Sequence, residues 1–320
     1  MKKTTLITSV FIFMLIFANY VNAIERRRDQ YLTEQSYMII PLPYSLPGMG
    51  SGVALIGGMS NIAESNFDVF GFYISGDVSG KIIDMNEFYL IPKTLSLGFN
   101  FMDLDAVMMK NYNGRGMVDT DKDEFSYLQL SKVGESRVNA TLGFFDKRLE
   151  FFWSYGKYTH EISKIRDNEG DVIYEYDNPD ESSSEHTSYG IRIDYTDDYL
   201  DPRKGVRFYA GNSSSPPDDK DRDPDYYVMD YVFQAYIPFG ESSTWAFYFQ
   251  QSDAFVKKEG VSDPEVILNE QGFGCASYND CEEAQKRVID NIVAARKYGT
   301  ANSLGGDEQL RAYPGGRFSG

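Results

Sequence analysis

The sequence predicts an all-β protein, a transmembrane antiparallel β-barrel with about ten or eleven strands and one helix in a long loop. Three observations predict it. The chain opens with an export signal. Segment after segment alternates with a period of two, large apolar side chains on one face and small or polar ones on the other. The connections come in two kinds, short turns and long acidic loops.

The first 23 residues, "MKKTTLITSVFIFMLIFANYVNA", carry Lys2 and Lys3, then an apolar run from Leu6 to Ala18, then the small-residue site Val21-Asn22-Ala23. This is the pattern of a cleaved secretory signal, too short and wrongly flanked for a spanning helix; an uncleaved N-terminal anchor is the alternative. The mature chain is expected to start near Ile24. Residues 24–46 are expected to form an N-terminal periplasmic segment, and 47–320 the barrel domain. No later window approaches 18 apolar residues, so helices are not expected to cross the membrane. A net charge of −17 with no basic patch argues against nucleic acid as a partner. Aromatic residues make up 15% of the chain, chiefly Tyr and Phe, types that favour strands and membrane–water interfaces.

The alternation is explicit in five stretches. In "TLSLGFNF" Leu95, Leu97, Phe99 and Phe101 share a face opposite Ser96, Gly98 and Asn100. In "VNATLGFF" Val138, Ala140, Leu142 and Phe144 oppose Asn139, Thr141 and Gly143. "YGIRIDYT" sets Tyr189, Ile191, Ile193 and Tyr195 against Gly190, Arg192, Asp194 and Thr196. "YYVMDYVFQAYI" groups Tyr227, Met229, Tyr231, Phe233, Ala235 and Ile237, with Asp230 and Gln234 opposite, and "TWAFYFQ" groups Trp245, Phe247 and Phe249. About ten such strands fall between Gly52 and Phe255, most of a length that suits a tilted membrane strand. Short turns such as 146–148 and 239–243 contrast with long acidic loops at 167–186 and 213–225, the usual asymmetry of outer-membrane barrels. A soluble sandwich also alternates, but it would have to bury every one of these aromatic faces in a single core.

The helix is expected in "NDCEEAQKRVIDNIVAARKYGT". Asp280 is placed as N-cap with Glu283 three residues on, Lys297 in the last turn and Gly299 just beyond. Its apolar stripe, Val288, Ile289, Ile292 and Val293, is expected to pack on the barrel or on the rest of its own loop; mixed charge makes binding to a membrane surface a weaker reading. Cys275 and Cys281, the only cysteines and close together in an exported chain, are predicted to form a disulfide before the helix.

Two stretches resemble the BamA/TamA-like bacterial surface antigen family. "DYTDDYLDPRKGVRFYAG", 194–211, is similar to a strand–turn–strand motif of that family through Asp194, Asp197, Asp201, Pro202, Arg203, Gly205 and Arg207. "LGGDEQLRAYPGGRF", 304–318, is similar to the tip of its long sixth extracellular loop through Leu304, Gly305, Gly306, Arg311 and Tyr313, with Ala312 where the family has Gly. Residues 39–61 resemble the lead-in to the first barrel strand. The resemblance implies a sixteen-stranded barrel in the outer membrane of a Gram-negative bacterium, with this loop after the eleventh strand and Arg311 directed into the lumen. On that count the barrel is expected to be incomplete at its C-terminus, by about five strands. The implied function is insertion or translocation of outer-membrane proteins, with outer-membrane lipid and periplasmic or outer-membrane assembly proteins as partners. The short stretch after the signal leaves no room for a POTRA domain, so a passive pore, a surface antigen or a non-functional fragment is kept as the alternative.

Chemistry for catalysis is sparse. His160 and His186 are the only histidines, and neither neighbours a metal-ligand pattern. There is no nucleophile motif, phosphate loop or dinucleotide fingerprint, so neither an enzyme activity nor a cofactor is expected. Asp119, Asp121 and Asp123 have the opening spacing of a calcium loop, but Glu124 stands where that turn needs Gly. These residues, and the alternating Asp219, Asp221, Asp223 and Asp225, are expected to be solvated acidic loops.

Overall fold

The protein is seen in a computed structural model that describes residues 34–46, 50–112, 125–239 and 243–302. The signal, the Asp119–Asp123 run and the loop-tip residues Leu304, Gly305, Gly306, Arg311 and Tyr313 lie outside the described residues.

Twelve strands form one antiparallel sheet: β1 (Ser36–Leu46), β2 (Gly50–Ile62), β3 (Phe67–Gly76), β4 (Ser79–Ile91), β5 (Leu95–Tyr112), β6 (Phe125–Phe144), β7 (Leu149–Arg166), β8 (Val172–Glu175), β9 (Glu181–Thr196), β10 (Gly205–Ser214), β11 (Asp225–Phe239) and β12 (Ser243–Lys258). Neighbours in sequence are neighbours in the sheet, except that β8 pairs with β7 off the main path. Among the described residues the sheet is not closed, and β1 and β12 end the order. Strand β1 begins eleven residues before the barrel start expected at 47. Pro41 and Pro43 hide it in the sequence, yet proline is tolerated on an edge strand, where a backbone N–H can be missing.

Register makes the two faces continuous. Phe144 lies opposite Leu149, Leu149 opposite Ile193, Ile193 opposite Phe208, Phe208 opposite Phe233, and Phe233 opposite Phe249. This is an apolar row across six strands. One residue along, Asp194 lies opposite Arg207 and Arg207 opposite Gln234. The usual distribution is inverted: Phe247 is 54% exposed and Tyr195 50%, while Asp194 is 0% exposed and Glu150 5%. Apolar atoms face outward and polar groups face the sheet's inner side.

The connections differ by end. At one end lie 63–66, 92–94, 145–148, 197–204 and 240–242; at the other lie the short β1–β2 and β3–β4 connections and the longest ones, 113–124, 167–180, 215–224 and the helical segment after Lys258. Strands β5, β6 and β7 run 18, 20 and 18 residues. A tilted crossing needs only about 9–11, so these strands extend past the apolar row on the long-connection side.

Two helices follow β12, not one: α1 (Pro264–Gln271) and α2 (Glu283–Tyr298). In α1 the Asp263 side chain accepts from the Glu265 N–H at 2.9 Å, Pro264 opens the helix, and Gly272 closes it at φ 66°. The expected Asp280–Glu283 cap of α2 is replaced by a Glu282–Gln285 box, in which the Glu282 N–H donates to Gln285 Oε1 at 3.0 Å. Asp280 instead ends a 3₁₀ turn, Tyr278–Asp280, and accepts from the Ser277 hydroxyl. Gly299 ends α2 at φ 71°. Cys275 and Cys281 are joined across this turn, with Cα atoms 5.2 Å apart. Ile267, Leu268, Cys281 and Ile289 form a buried cluster, with Phe273, Ile292 and Val293 against it, so the α2 stripe packs on its own segment. Beyond α2, Asn302 donates to Asp230 Oδ2 at 2.6 Å and to Ser252 Oγ at 3.0 Å, which lays the chain on the inner face of β11 and β12. Among the described residues no helix is long and apolar enough to cross a membrane.

Ile289 is fully buried in the helical cluster. Replacing it with Ala is expected to cost about 2–5 kcal/mol locally. Hydrogen exchange should accelerate across 283–298 while the strands keep their protection.

Candidate functional site

The site grows from the β9–β10 turn. Asp197 Oδ1 accepts from the N–H groups of Arg203 (2.9 Å) and Lys204 (3.0 Å), while the Asp197 N–H donates to the Lys204 carbonyl at 3.0 Å. Asp198 Oδ1 accepts from the N–H groups of Leu200 and Asp201 at 3.0 and 3.2 Å. Two aspartates therefore satisfy the backbone of an eight-residue connection from within, as short acidic side chains do in turns. Gly205 leaves the turn at φ 114°, and a Cβ there would lie 2.1 Å from the Tyr195 carbonyl oxygen, so only glycine fits. Pro202 sits inside the same connection. Asp201 and Arg203 pair at 3.5 Å on the surface, where such a contact contributes little.

The turn folds over the inner face of the sheet. Asp194 Oδ1 accepts from the Thr196 N–H at 2.8 Å, and its Oδ2 accepts from Arg207 Nε and Nη2 at 3.1 and 2.8 Å. Arg207 Nη2 also donates to the Tyr199 carbonyl at 2.6 Å. Of the residues grouped by the family resemblance, Asp194 and Arg207 are thus paired directly, Asp197 holds the turn through the Arg203 and Lys204 backbone, Gly205 closes it, and the side chains of Asp201 and Arg203 lie apart, on the surface.

Residues from other strands complete the cluster. Glu150 on β7 accepts from Arg192 Nη1 at 2.9 Å and from the Tyr199 hydroxyl at 3.0 Å; Arg192 and that hydroxyl are also in contact. Lys147, from the β6–β7 turn, pairs with Glu87 on β4. The Tyr199 ring has three cations over it: Arg207 at 5.0 Å, Lys147 at 5.2 Å and Arg192 at 5.7 Å. Burial, the largest influence, pushes the Tyr199 phenol up to about 12, with Glu150 acting the same way and Arg192 and Arg207 against it. Glu87, Lys147, Glu150, Arg192 and Tyr199 line a cavity of about 230 Å³, with Asn139 and Thr141 on its wall.

Sequence patterns do not reveal this cluster, because Glu87, Lys147, Glu150 and Arg192 are far apart in the chain. The available signal is a charge on an otherwise small or polar strand face, at Glu150 and Arg192. Its charges are paired with one another, an arrangement that anchors the turn to the wall. Among the described residues no group of three or more His, Cys, Asp or Glu is placed to hold a metal ion. In the other acidic loop, Asp219 caps the backbone of Asp221, Asp223 pairs with Arg222 and Asp225 with Lys257.

No protein-family model and no curated protein matches the chain. Among solved structures it is similar to the crystal structure of BamA from Haemophilus ducreyi lacking POTRA domains 1–3. The identity is 17% and the TM-score 0.40, over 72% of this chain and 42% of that one. The chain therefore spans less than half the length of that structure.

Two outcomes follow from the cluster. Asp194→Ala leaves Arg207 without its carboxylate in a buried setting and should lower stability by about 3–5 kcal/mol in denaturant unfolding. Tyr199 has a folded-state value above that of the unfolded chain, so its neutral form is the stabilising one. That contribution is complete below pH about 10 and is lost as pH rises towards about 12. Across this window Tyr199→Phe should unfold with a shallower pH dependence than the parent.

Proposed function

We propose that the chain forms the wall of an outer-membrane β-barrel in a Gram-negative bacterium, its apolar face against lipid and its polar face towards a lumen. The observation that carries this reading is the inverted sheet: an apolar row continuous over six strands, on a face that exposes Phe144, Tyr195, Phe247 and Phe249, backed by buried Asp194, Glu150 and Lys147. In a soluble protein so large an exposed apolar face would be a liability; in a bilayer it is the stable arrangement. Continuous antiparallel pairing of neighbouring strands along the apolar row fits the same setting, where unpaired groups are costly. The longest connections all lie at one end, which supports an external side there and a periplasmic side opposite.

Within this wall we assign a non-catalytic role in outer-membrane protein insertion or translocation, with outer-membrane lipid and other assembly proteins as partners. The support is the resemblance of 194–211 to a strand–turn–strand motif, together with the pairing of Arg207 with the buried Asp194 beneath the turn that Asp197 holds. A passive pore or surface antigen is the second reading, favoured by the charged cavity on the inner face near the short-turn end. Liposomes containing the purified protein separate them. Faster insertion of an unfolded outer-membrane barrel is expected from the first; ion conductance without that acceleration selects the second.

The membrane setting has its own tests. The mature chain should fractionate with the outer membrane, and recovery as a soluble periplasmic protein with a cooperative melt would refute the barrel. Phe233→Lys should cost about 2–4 kcal/mol in a bilayer, where Lys faces hydrocarbon. Gln234→Lys, one residue along and on the inner face, should cost less than half as much. Thr196 is unsuited to that comparison, because it is fully buried and hydrogen-bonded to Asp194.

A further inference from the structure

The pairing of β9 is unequal on its two sides. Strand β7 accompanies it from Glu181, opposite Glu161, to Ile193, opposite Leu149, whereas β10 joins only at Thr187, opposite Ser214. Residues Glu181–His186 therefore have an open ladder edge, with no strand beside it among the described residues. Strand β8 continues this rim. It pairs with β7 through Lys164–Arg166 and with no other described strand. Open edges are templates for strand addition, and proteins commonly blunt them with Lys, Pro or a bulge. The sequence here, Glu-Ser-Ser-Ser-Glu-His, has neither Lys nor Pro, and its three serines leave the edge uncrowded.

An apolar patch adjoins the edge. Ile173 is 63% exposed and Tyr174 54%, and the Tyr174 and Tyr176 rings meet edge-on at 4.8 Å. Tyr174 lies opposite Ile165, and the extra residue Ser163 in β7 puts that face on the other side of the sheet from Glu181 and Glu185, which lie opposite Glu161 and Lys157. Along β7 the patch lies beyond Lys157, Thr159 and Glu161, which follow the last aromatic of the apolar belt, Tyr155. Lipid does not cover it. Residues 167–186 contain eight carboxylates and no Lys or Arg; neighbouring strands supply Lys132 to Glu181 at 3.3 Å and Lys164 to Glu175 at 2.9 Å, both on the surface, and the rim keeps an acidic excess. Tyr176 bonds to the Ser163 carbonyl, two residues along β7 from the partner of Glu181, so one added strand reaches both features.

We propose that the β8–β9 rim is a docking edge for an extended cationic polypeptide segment, which adds a strand along Glu181–His186 and packs an apolar side chain against Tyr174 and Tyr176. Main-chain bonds to the open edge supply the affinity, and side chains supply the choice of partner. Glu185, and Glu181 by exchanging its exposed Lys132 partner, favour cationic residues at the facing positions, since opposite charges across a strand pair are favourable and like charges are not. The same rule disfavours a second copy of this chain, whose rim carries the same carboxylates. The inference rests on the membrane reading only in placing the patch in water; binding in detergent does not use that reading, whereas fractionation tests it alone.

The test uses the purified full chain in a neutral detergent and a fluorescent octapeptide of alternating Lys and Val, followed by anisotropy. Saturable binding is expected, with a Glu/Val octapeptide at least about tenfold weaker. The double variant Glu181→Lys, Glu185→Lys should weaken the Lys/Val peptide about tenfold or more, and Tyr176→Ser should weaken it with the charges intact. Methylating alternate backbone nitrogens of the peptide should abolish binding for one of the two possible sets. Binding indifferent to the charge reversal, or retained by both methylated peptides, overturns strand addition. Self-association of the chain without peptide, lost in the double variant, would assign the edge to a second copy and overturn the proposal as well.

Discussion

Cross-strand register is the constraint on which the rest of this structure depends. With a side-chain period of two, a slip of one residue in any strand would exchange its faces, placing Asp194 and Glu150 outward and Ile193 and Leu149 inward. The short connections fix that register. The β9–β10 connection is held by Asp197 and Asp198 from within, and Gly205 supplies the one backbone conformation that returns the chain in phase. At the β6–β7 connection Phe145, Asp146 and Lys147 are all left-handed, a backbone cost that delivers Lys147 to Glu87.

Once register is set, the inner face has a problem that the outer face does not. Outward side chains meet a solvent that suits them, but inward charges are crowded and partly dehydrated. The cluster around Tyr199 resolves this by mutual neutralisation. Asp194 takes Arg207, Glu150 takes Arg192, Glu87 takes Lys147, and one aromatic ring lies against all three cations. The turn that sets the register is thus also held down by the charges that the register brings together. Loss of either half would release the other.

The opposite end is built on other physics. There the strands outrun the apolar belt, their outward faces become polar, and unequal strand lengths leave an open edge on β9. The helical segment after β12 carries a small hydrophobic cluster of its own around Ile289, and its exit is tied to the inner wall through Asn302. Stability at this end is local, in contrast to the long cross-strand coupling near the short turns.

Period-2 alternation alone determined the all-β class and which face of β9, β11 and β12 is apolar, because alternation reports directly on which side a side chain faces. Spacing in 194–207 also pointed to a compact turn. The sequence did not mark β1, whose prolines break the pattern, nor α1, whose eight residues are too few for a periodic signal. It placed the α2 cap at Asp280, although a local 3₁₀ turn claims that residue and Glu282 serves instead. Only the tertiary structure decided that Glu87, Lys147, Glu150, Arg192 and Tyr199 share one cavity, and that β10 stops short of β9. Both are consequences of how far each strand runs beside its neighbour. Local alternation encodes the face of each residue, while the partner opposite it is set by register across the whole sheet.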